Sequence, residues 1–308
     1  MPASLPAYDL IPLPGEGPED VVVGLDGLIY TGLLDGRILA IAPKDGAVRE
    51  VAKTGGRPLG LEATTDGRLL ICDSPKGLLE LDLKTGALTT LVTHDGAEPL
   101  IFCSNVVAAP DGDVFFTVSS MRYSFLDWRK DFAENLPTGR VYRRAASGAL
   151  TKVMDGLGFA NGLVRTRDGK SLIVAETAGR RLLRLCLAGD RVGTSEVIAE
   201  LPGFPDNLAA DDGLFWVAFA SEPNSALEAI HKLPLFLRRV VARLPESVQP
   251  KPSRVAWVGA YDENGACVHD FKWTDGGFAM VTGVCRVGRQ MWCAGLQERA
   301  LMRFELPG

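Results

Sequence analysis

Short apolar runs alternate with tight polar turns along almost the whole chain, and one motif recurs: an apolar run, Asp-Gly or a near-equivalent, then a second apolar run. VVVGLDGLIYTG begins at Val21, LEATTDGRLLICD at Leu61, VVAAPDGDVFFTV at Val106, LVRTRDGKSLIVAE at Leu163 and LAADDGLFWVAFA at Leu208. A degenerate sixth copy, VCRVGRQMWCAG, begins at Val284 with Val-Gly at the turn. Asp-Gly between two β-rich runs predicts a hairpin, because glycine supplies the positive φ of the tight turn. The turns starting at Asp26, Asp66, Asp111 and Asp168 lie 40, 45 and 57 residues apart, room for several strands per repeat. A second strand pair follows each hairpin, as in GRILAIAPKDGAVREVA from Gly36 and GLLELDLKTGALTTLVT from Gly77. Hairpin plus hairpin makes one four-stranded blade. Six copies predict an all-β, six-bladed β-propeller spanning residues 1–308 as one domain. The last blade is short of strands, so the segment near Tyr8–Pro12 is expected to return and complete it, which removes an exposed edge.

Two segments break the period, at about residues 119–138 in the third blade and 221–253 in the fifth. Long insertions in a compact fold tend to be functional or covering. In the fifth-blade insertion Leu227, Ile230, Leu235, Leu237, Val240, Val241 and Leu244 alternate with Arg238, Arg239 and Arg243, the pattern of a Pro-broken amphipathic helix pair. Its plainer reading is a lid over one mouth of the propeller. Its sharper one is a weak surface contact, with a membrane or a partner, through residues 227–244.

Upstream of four turns lies an oxygen-bearing side chain at one phase. Glu19 is seven residues before Asp26, Asn105 six before Asp111, Asn161 seven before Asp168 and Asp206 six before Asp212. The first strand of each propeller blade lines the channel, so these positions converge on the axis. Glu, Asn, Asn and Asp offer hard oxygens and two negative charges, a ligand set for one divalent cation, Ca²⁺ above all. The blander reading is ordinary turn polarity. Blade 2 has Leu59 or Gly60 at this phase and blade 6 Val281 or Thr282, an uncharged side through which a substrate would enter. Asn207, next to Asp206, joins the site only if the strand is irregular there, since strand neighbours face opposite ways. Glu16 competes with Glu19 as ligand but is out of phase.

A net charge of −5 argues against nucleic acid as partner. No stretch approaches the length of a membrane span, and MPASLPAYDLIPLPGEG lacks the basic and apolar regions of a secretory leader. The six cysteines form no CxxC pair and read as reduced core residues, which suits a cytoplasmic protein. There is no G-x-S-x-G elbow, Walker A loop or H-E-x-x-H.

GPED around Glu19, SNVVAAPDG at Asn105, FANGLVRTRDG at Asn161, VAET at Val174 and PGFPDNLAADDGLFWVA at Pro202 resemble the strictosidine synthase-like proteins. That group includes the adipocyte plasma membrane-associated protein. RPLGLE at Arg57 and LPLFLRRVVARLP at Leu233 extend the resemblance to nearly the whole chain. More distantly the chain is similar to paraoxonase, gluconolactonase/regucalcin and diisopropyl fluorophosphatase. The resemblance implies a central metal held by Glu19, Asn105, Asn161 and Asp206, with Asn207 as a further ligand or neighbour, and Asp206 as catalytic base or nucleophile. It implies a metal-dependent hydrolase of lactones or aryl esters. The alternatives are a ligand-binding propeller without chemistry, or a Pictet–Spengler-type synthase. The last needs a glutamate in the final blade, and no acidic residue lies between Asp275 and Glu298. Of the three histidines, His94 and His269 fall away from the mouth, and His231 suits a surface or lid role. Phe102, Met121, Tyr123, Phe125, Phe159, Phe204 and Phe219 flank the channel positions or insertions. They read either as core and rim packing or, Phe102, Met121, Phe125, Phe159, Phe204 and Phe219 above all, as the lining of an apolar pocket. If half of them line the mouth, a small hydrophobic or aromatic substrate is expected.

Overall fold

Each repeated turn closes a hairpin between the first two strands of a sheet. Gly67 and Gly112 take φ of +82° and +88° there, and the Asp111 carboxylate accepts the Asp113 N–H at 3.2 Å, so both turn residues act as their types dictate. In the computed structural model, which describes residues 5–307, six four-stranded antiparallel sheets surround a channel. Met1–Ser4, the start of the stretch read for a leader, lie outside the described residues, as do Gly308 and the Glu246 side chain.

The innermost strands of blades 1 to 6 are Val21–Val23, Arg57–Ala63, Cys103–Ala108, Ala160–Arg165, Phe204–Asp211 and Val281–Val287. Each packs on the next, and the sixth on the first, so the ring closes. Blade 6 supplies three strands of its own, and Tyr8–Pro12 pairs antiparallel with Ala300–Glu305, Tyr8 opposite Phe304 and Pro12 opposite Ala300. The returning N-terminal strand read from the sequence is therefore present.

Six buried apolar clusters hold the ring, one between each pair of adjacent blades. The second strands of the blades are covered on both faces, which is why LLIC in Arg68–Ser74 and MWCAG in Gln290–Gly295 read as unbroken apolar runs rather than alternating ones. Cys72, Cys103, Cys285 and Cys293 are buried in this core. Cys186 is half-buried and Cys267 exposed, so burial does not extend to all six; every one is a free thiol.

Both insertions join the second and third strands of their blades, at the end of the ring where the innermost strands begin. In blade 3 this gives helix α1, Trp128–Glu134. In blade 5 it gives α2, Ser225–His231, and α3, Leu235–Ala242. Asn224 caps α2 by accepting the Ala226 and Leu227 N–H groups, and Pro234 separates the two helices. The three helices pack together as a roof. Arg238 on α3 donates to the Glu134 carbonyl (2.6 Å), and His231 Nε2 lies 2.7 Å from the Phe132 carbonyl. Buried Glu134 accepts from Tyr123 (2.6 Å) and pairs with Arg122 (2.9 Å).

Candidate active site in the channel

The innermost strands of blades 2 to 5 share one irregularity. Pairing jumps from Pro58 to Leu61, Cys103 to Val106, Ala160 to Leu163 and Pro205 to Leu208, so two residues face one on the neighbouring strand. A comparable shift falls between Val281 and Gly283. A β-bulge of this kind turns adjacent residues toward the same space. The channel therefore carries two layers.

The upper layer meets the cavity beneath the roof: Glu19, Leu59, Ser104, Asn161, Asp206 and Thr282, one per blade. The lower layer is made by the next residue of each blade: Asp20, Gly60, Asn105, Gly162, Asn207 and Gly283. Side chains and glycines alternate around it. A Cβ on Gly162 would lie 2.5 Å from the Asp206 carbonyl, and one on Gly283 2.6 Å from the Asp20 Cα. The glycines thus let the blades approach while three polar side chains fill the axis.

Those three are tied together. Asn105 Nδ2 donates to Asn207 Oδ1 (2.9 Å) and, at 3.5 Å, to Asp20 Oδ2. The Leu61 N–H donates to Asp20 (2.9 Å) and the Leu163 N–H to Asn105 Oδ1 (3.1 Å). Asn207 Nδ2 reaches up to both Glu19 oxygens at 3.3 Å. Asn161 is held by Ser104 (3.1 Å) and Thr177 (3.2 Å).

The electrostatics are those of crowded acids. Burial, then the Asp206 and Asp20 charges, push the Glu19 carboxyl well above its ordinary range. Burial first, and the Asp20 charge, push Asp206 up to about 8, against hydrogen bonds from Asn161 and the Asn207 backbone that oppose the rise. Asp20 rises to about 7, mainly by burial. Among the described residues no Lys or Arg forms an ion pair with Glu19 or Asp206. The nearest compensation is Arg57, whose buried guanidinium makes no hydrogen bond among the described residues and is pulled down to about 10 by desolvation, with Glu19 the leading opposing charge. Two uncompensated carboxylates with amide oxygens beside them fit a hard divalent cation. Among the described residues no three His, Cys, Asp or Glu side chains cluster as a metal site, so the amides of Asn105, Asn161 and Asn207 would have to complete the donor set.

The structure thus brings Glu19, Asn161 and Asp206 to one cavity floor. It sets Asn105 one layer lower, with its oxygen engaged by Leu163, and makes Asn207 its partner through the strand irregularity. Glu16 pairs with Arg299 (3.4 Å) and is exposed. Ser104, Asp20 and Arg57 were not singled out from the sequence.

Above the floor is a cavity of about 980 Å³, including space open to solvent. Phe102, Phe125, Phe159 and Phe204 line it, with Trp128 and Phe132 of α1 and Leu227 and Val241 of α2 and α3. Phe102 and Phe159 meet edge to face at 5.3 Å, and Phe132 lies 4.7 Å from Phe159. Two expected lining residues are elsewhere. Phe219 is fully buried between blades 4 and 5, stacked on Trp257 at 4.4 Å, because its strand is apolar on both faces. Met121 packs against the core between blades 2 and 3, as its N–H is drawn to Thr138 (3.3 Å). Tyr123 also turns from the cavity, to Glu134.

The geometry defines a six-bladed propeller with a hard-oxygen site at the base of an aromatic cavity. The chain belongs to the SMP-30/gluconolactonase/LRE-like family, which matches residues 14–227. It is 31% identical to strictosidine synthase-like protein 4 of Arabidopsis thaliana, over 99% of this chain and 89% of that one. It is 32% identical to the adipocyte plasma membrane-associated protein of Salmo salar, over 83% and 67%. Among solved structures, a gluconolactonase from Xanthomonas campestris superposes with TM-score 0.72 at 17% identity, covering 97% of this chain and 89% of that one. The calcium-binding protein regucalcin from Agrobacterium tumefaciens superposes with TM-score 0.66 at 16% identity, covering 97% and 93%. At those identities the likeness is one of fold.

Proposed function

We propose that the protein is a metal-dependent hydrolase of hydrophobic lactones or aryl esters, with Asp206 as general base or nucleophile. The observation that carries this reading is the half-buried Asp206 carboxylate. It stands on the cavity floor beside Glu19 and Asn161, with no cationic side chain among the described residues paired to it and an aromatic wall above. Glu19, Asn161 and Asp206, with Asn105 and Asn207 beneath, would hold one divalent cation, Ca²⁺ by the hardness of its donors. Such an ion polarises a carbonyl oxygen when bound. Membership of a family named for gluconolactonase supports the lactonase class.

The chain's own residues supply the rest. As base, Asp206 takes a proton from a water whose oxygen adds to the acyl carbon; the acyl C–O bond breaks and the leaving alkoxide or phenoxide carries the proton away. As nucleophile, Asp206 itself adds to the acyl carbon and displaces that alkoxide or phenoxide, and water then hydrolyses the acyl-Asp206 anhydride. Ser104 and Thr177 fix the Asn161 amide. The Phe102–Phe159 wall holds an apolar acyl or aryl group, and the helical roof keeps bulk water off the floor. Glu19 and Asp206 are the acidic residues among those lining the cavity, and blade 6 contributes Met280, Thr282 and Leu296. The Pictet–Spengler alternative therefore has no acid or base from the last blade.

The test is metal analysis of the purified protein and a panel of lactones and aryl esters before and after chelation. Turnover that needs metal, favours apolar substrates over sugar lactones and falls by roughly 10²–10⁴-fold in Asp206→Asn with metal retained is expected. No turnover on any member with metal present transfers the site to ligand binding without chemistry.

A further inference from the structure

We propose that the outer surface of the helical roof docks on a membrane bearing anionic lipid, so that the cavity opens toward the bilayer. This stands independently of the hydrolase reading, because it rests on the opposite side of the roof from the site.

The first observation is where large apolar side chains are left in water. Of the sixteen exposed in the described chain, seven belong to the two insertions: Leu126, Leu233, Phe236, Leu237, Val240, Leu244 and Val248. Phe236 is the aromatic one among the sixteen, at 65% exposure, and Leu126 reaches 79%. Phe236, Val240 and Leu244 are spaced four residues apart, so they stack along one side of α3 and its C-terminal extension. The other side of that helix is already occupied: Val241 lines the cavity, Ala242 is buried and Arg238 is bonded to the end of α1. The outward row has no partner within the described residues, although it is as apolar as the inward one. Exposed apolar surface gathered in one place marks a contact.

The second observation decides what the contact is. Residues 225–254 carry six Lys or Arg against two acidic residues, in a chain whose net charge is −5. Arg238 and Arg239 are engaged with Glu134 and Arg254 with Glu298. Lys232 and Arg243, at the two ends of α3, are exposed. A short helix with an apolar outer row and cations at its ends suits an interfacial position, the row among the acyl chains and the cations at anionic headgroups. The roof also lies directly over an apolar cavity. A lipophilic ligand dissolved in a bilayer would reach that cavity without crossing bulk water.

The experiment is co-sedimentation of the full chain with vesicles of phosphatidylcholine alone, or with roughly 30% phosphatidylserine, at low and high salt. The parent is expected to sediment with the anionic vesicles and much less with the neutral ones. Phe236→Ser with Val240→Ser, both at exposed positions, should leave the melting temperature intact and lower vesicle affinity by about tenfold or more. Lys232→Glu with Arg243→Glu should remove the preference for phosphatidylserine. The proposal is overturned if the parent stays in solution with both vesicle types, or if the serine pair binds as the parent does. It is equally overturned if sedimentation velocity shows a parent dimer that the serine pair abolishes while neither protein binds lipid, since the row then belongs to a second copy. None of these readouts requires turnover.

Discussion

Removing one acid from the channel floor should stabilise the metal-free protein while disabling the site. The perturbation is Asp206→Asn. In the folded chain Asp206 is pushed from an ordinary 3.8 up to about 8, whereas in the unfolded chain it titrates normally. Between those values the folded protein holds a proton that the unfolded chain has released. Unfolding then sheds a proton, so rising pH favours the unfolded chain across that window. At about 1.4 kcal/mol per pH unit the ceiling at pH 7 is roughly 4 kcal/mol. Asp206 meets cavity solvent along one edge, which screens this to about 1–3 kcal/mol. At the ~2–4 °C per kcal/mol of a large domain, the chelated variant should melt several degrees above the chelated parent at pH 8, with a smaller difference near pH 5. Excess Ca²⁺ should reverse the order, because an ion that binds only the folded state stabilises the parent more. The assay is thermal unfolding in chelator and in excess metal from pH 5 to 9. A chelated parent whose melting temperature does not fall with pH relative to the variant, or a variant that melts lower at pH 8, would refute the reasoning.

Three further outcomes follow from the scaffold. Gly162→Ala places a Cβ 2.5 Å from the Asp206 carbonyl and 2.6 Å from the Asn207 Cα; as both are backbone, metal affinity should fall at least tenfold and stability by roughly 1–3 kcal/mol, read by calorimetry and urea unfolding. Glu134→Ala removes the acceptor shared by Tyr123 and Arg122, costing about 1–3 kcal/mol, and limited proteolysis should cut the 222–255 segment faster while the ring stays intact. Deleting residues 1–12 strips the strand paired with Ala300–Glu305 and exposes that edge, so the truncated chain should aggregate at concentrations where the parent is monodisperse by light scattering.

The ring was legible because its signal is local. Each Asp-Gly turn is two adjacent residues, and the missing last strand follows from counting runs in blade 6. The channel floor was only half legible, because a count of six or seven residues back from the turn does not separate its two layers. At seven, the spacing of Glu19 and Asn161, blade 3 offers Ser104, and Asn105 at six belongs to the layer beneath, which the bulge also turns toward the channel. Asp20 and Asn207 likewise form the layer beneath their neighbours. The adjacent pairs Glu19-Asp20 and Asp206-Asn207, alternating with Gly60, Gly162 and Gly283 in the other blades, were the available sign. Arg57 also had one: it lies two residues before Leu59, where blades 3, 4 and 5 carry Phe102, Phe159 and Phe204. The misplacement of Phe219 has the opposite cause, since a strand buried on both faces has no polar alternation to show which side chains face the channel.

The distribution of polarity over the floor constrains what approaches it. Charge is confined to Glu19 and Asp206, with Thr282 between them turned to the Glu19 carbonyl at 2.6 Å. Beside Glu19 stands Leu59, packed with Phe102 and Phe159 and roofed by Phe125, Trp128 and Phe132, and Ser104 and Asn161 complete the floor. A polyhydroxylated sugar lactone would find Ser104 and Asn161 on the floor but would have to desolvate any hydroxyl laid against the aromatic side, which is costly for every unpaired group. On the hydrolase reading proposed above, a substrate with one reactive carbonyl and an apolar or aryl remainder would avoid that cost, its remainder against the aromatic side and its carbonyl toward Asp206. The same apolar wall also raises the carboxyl proton affinity of the floor. The site is therefore poorest at holding its charges when empty, and a cation and an apolar ligand are the two additions that together would complete it.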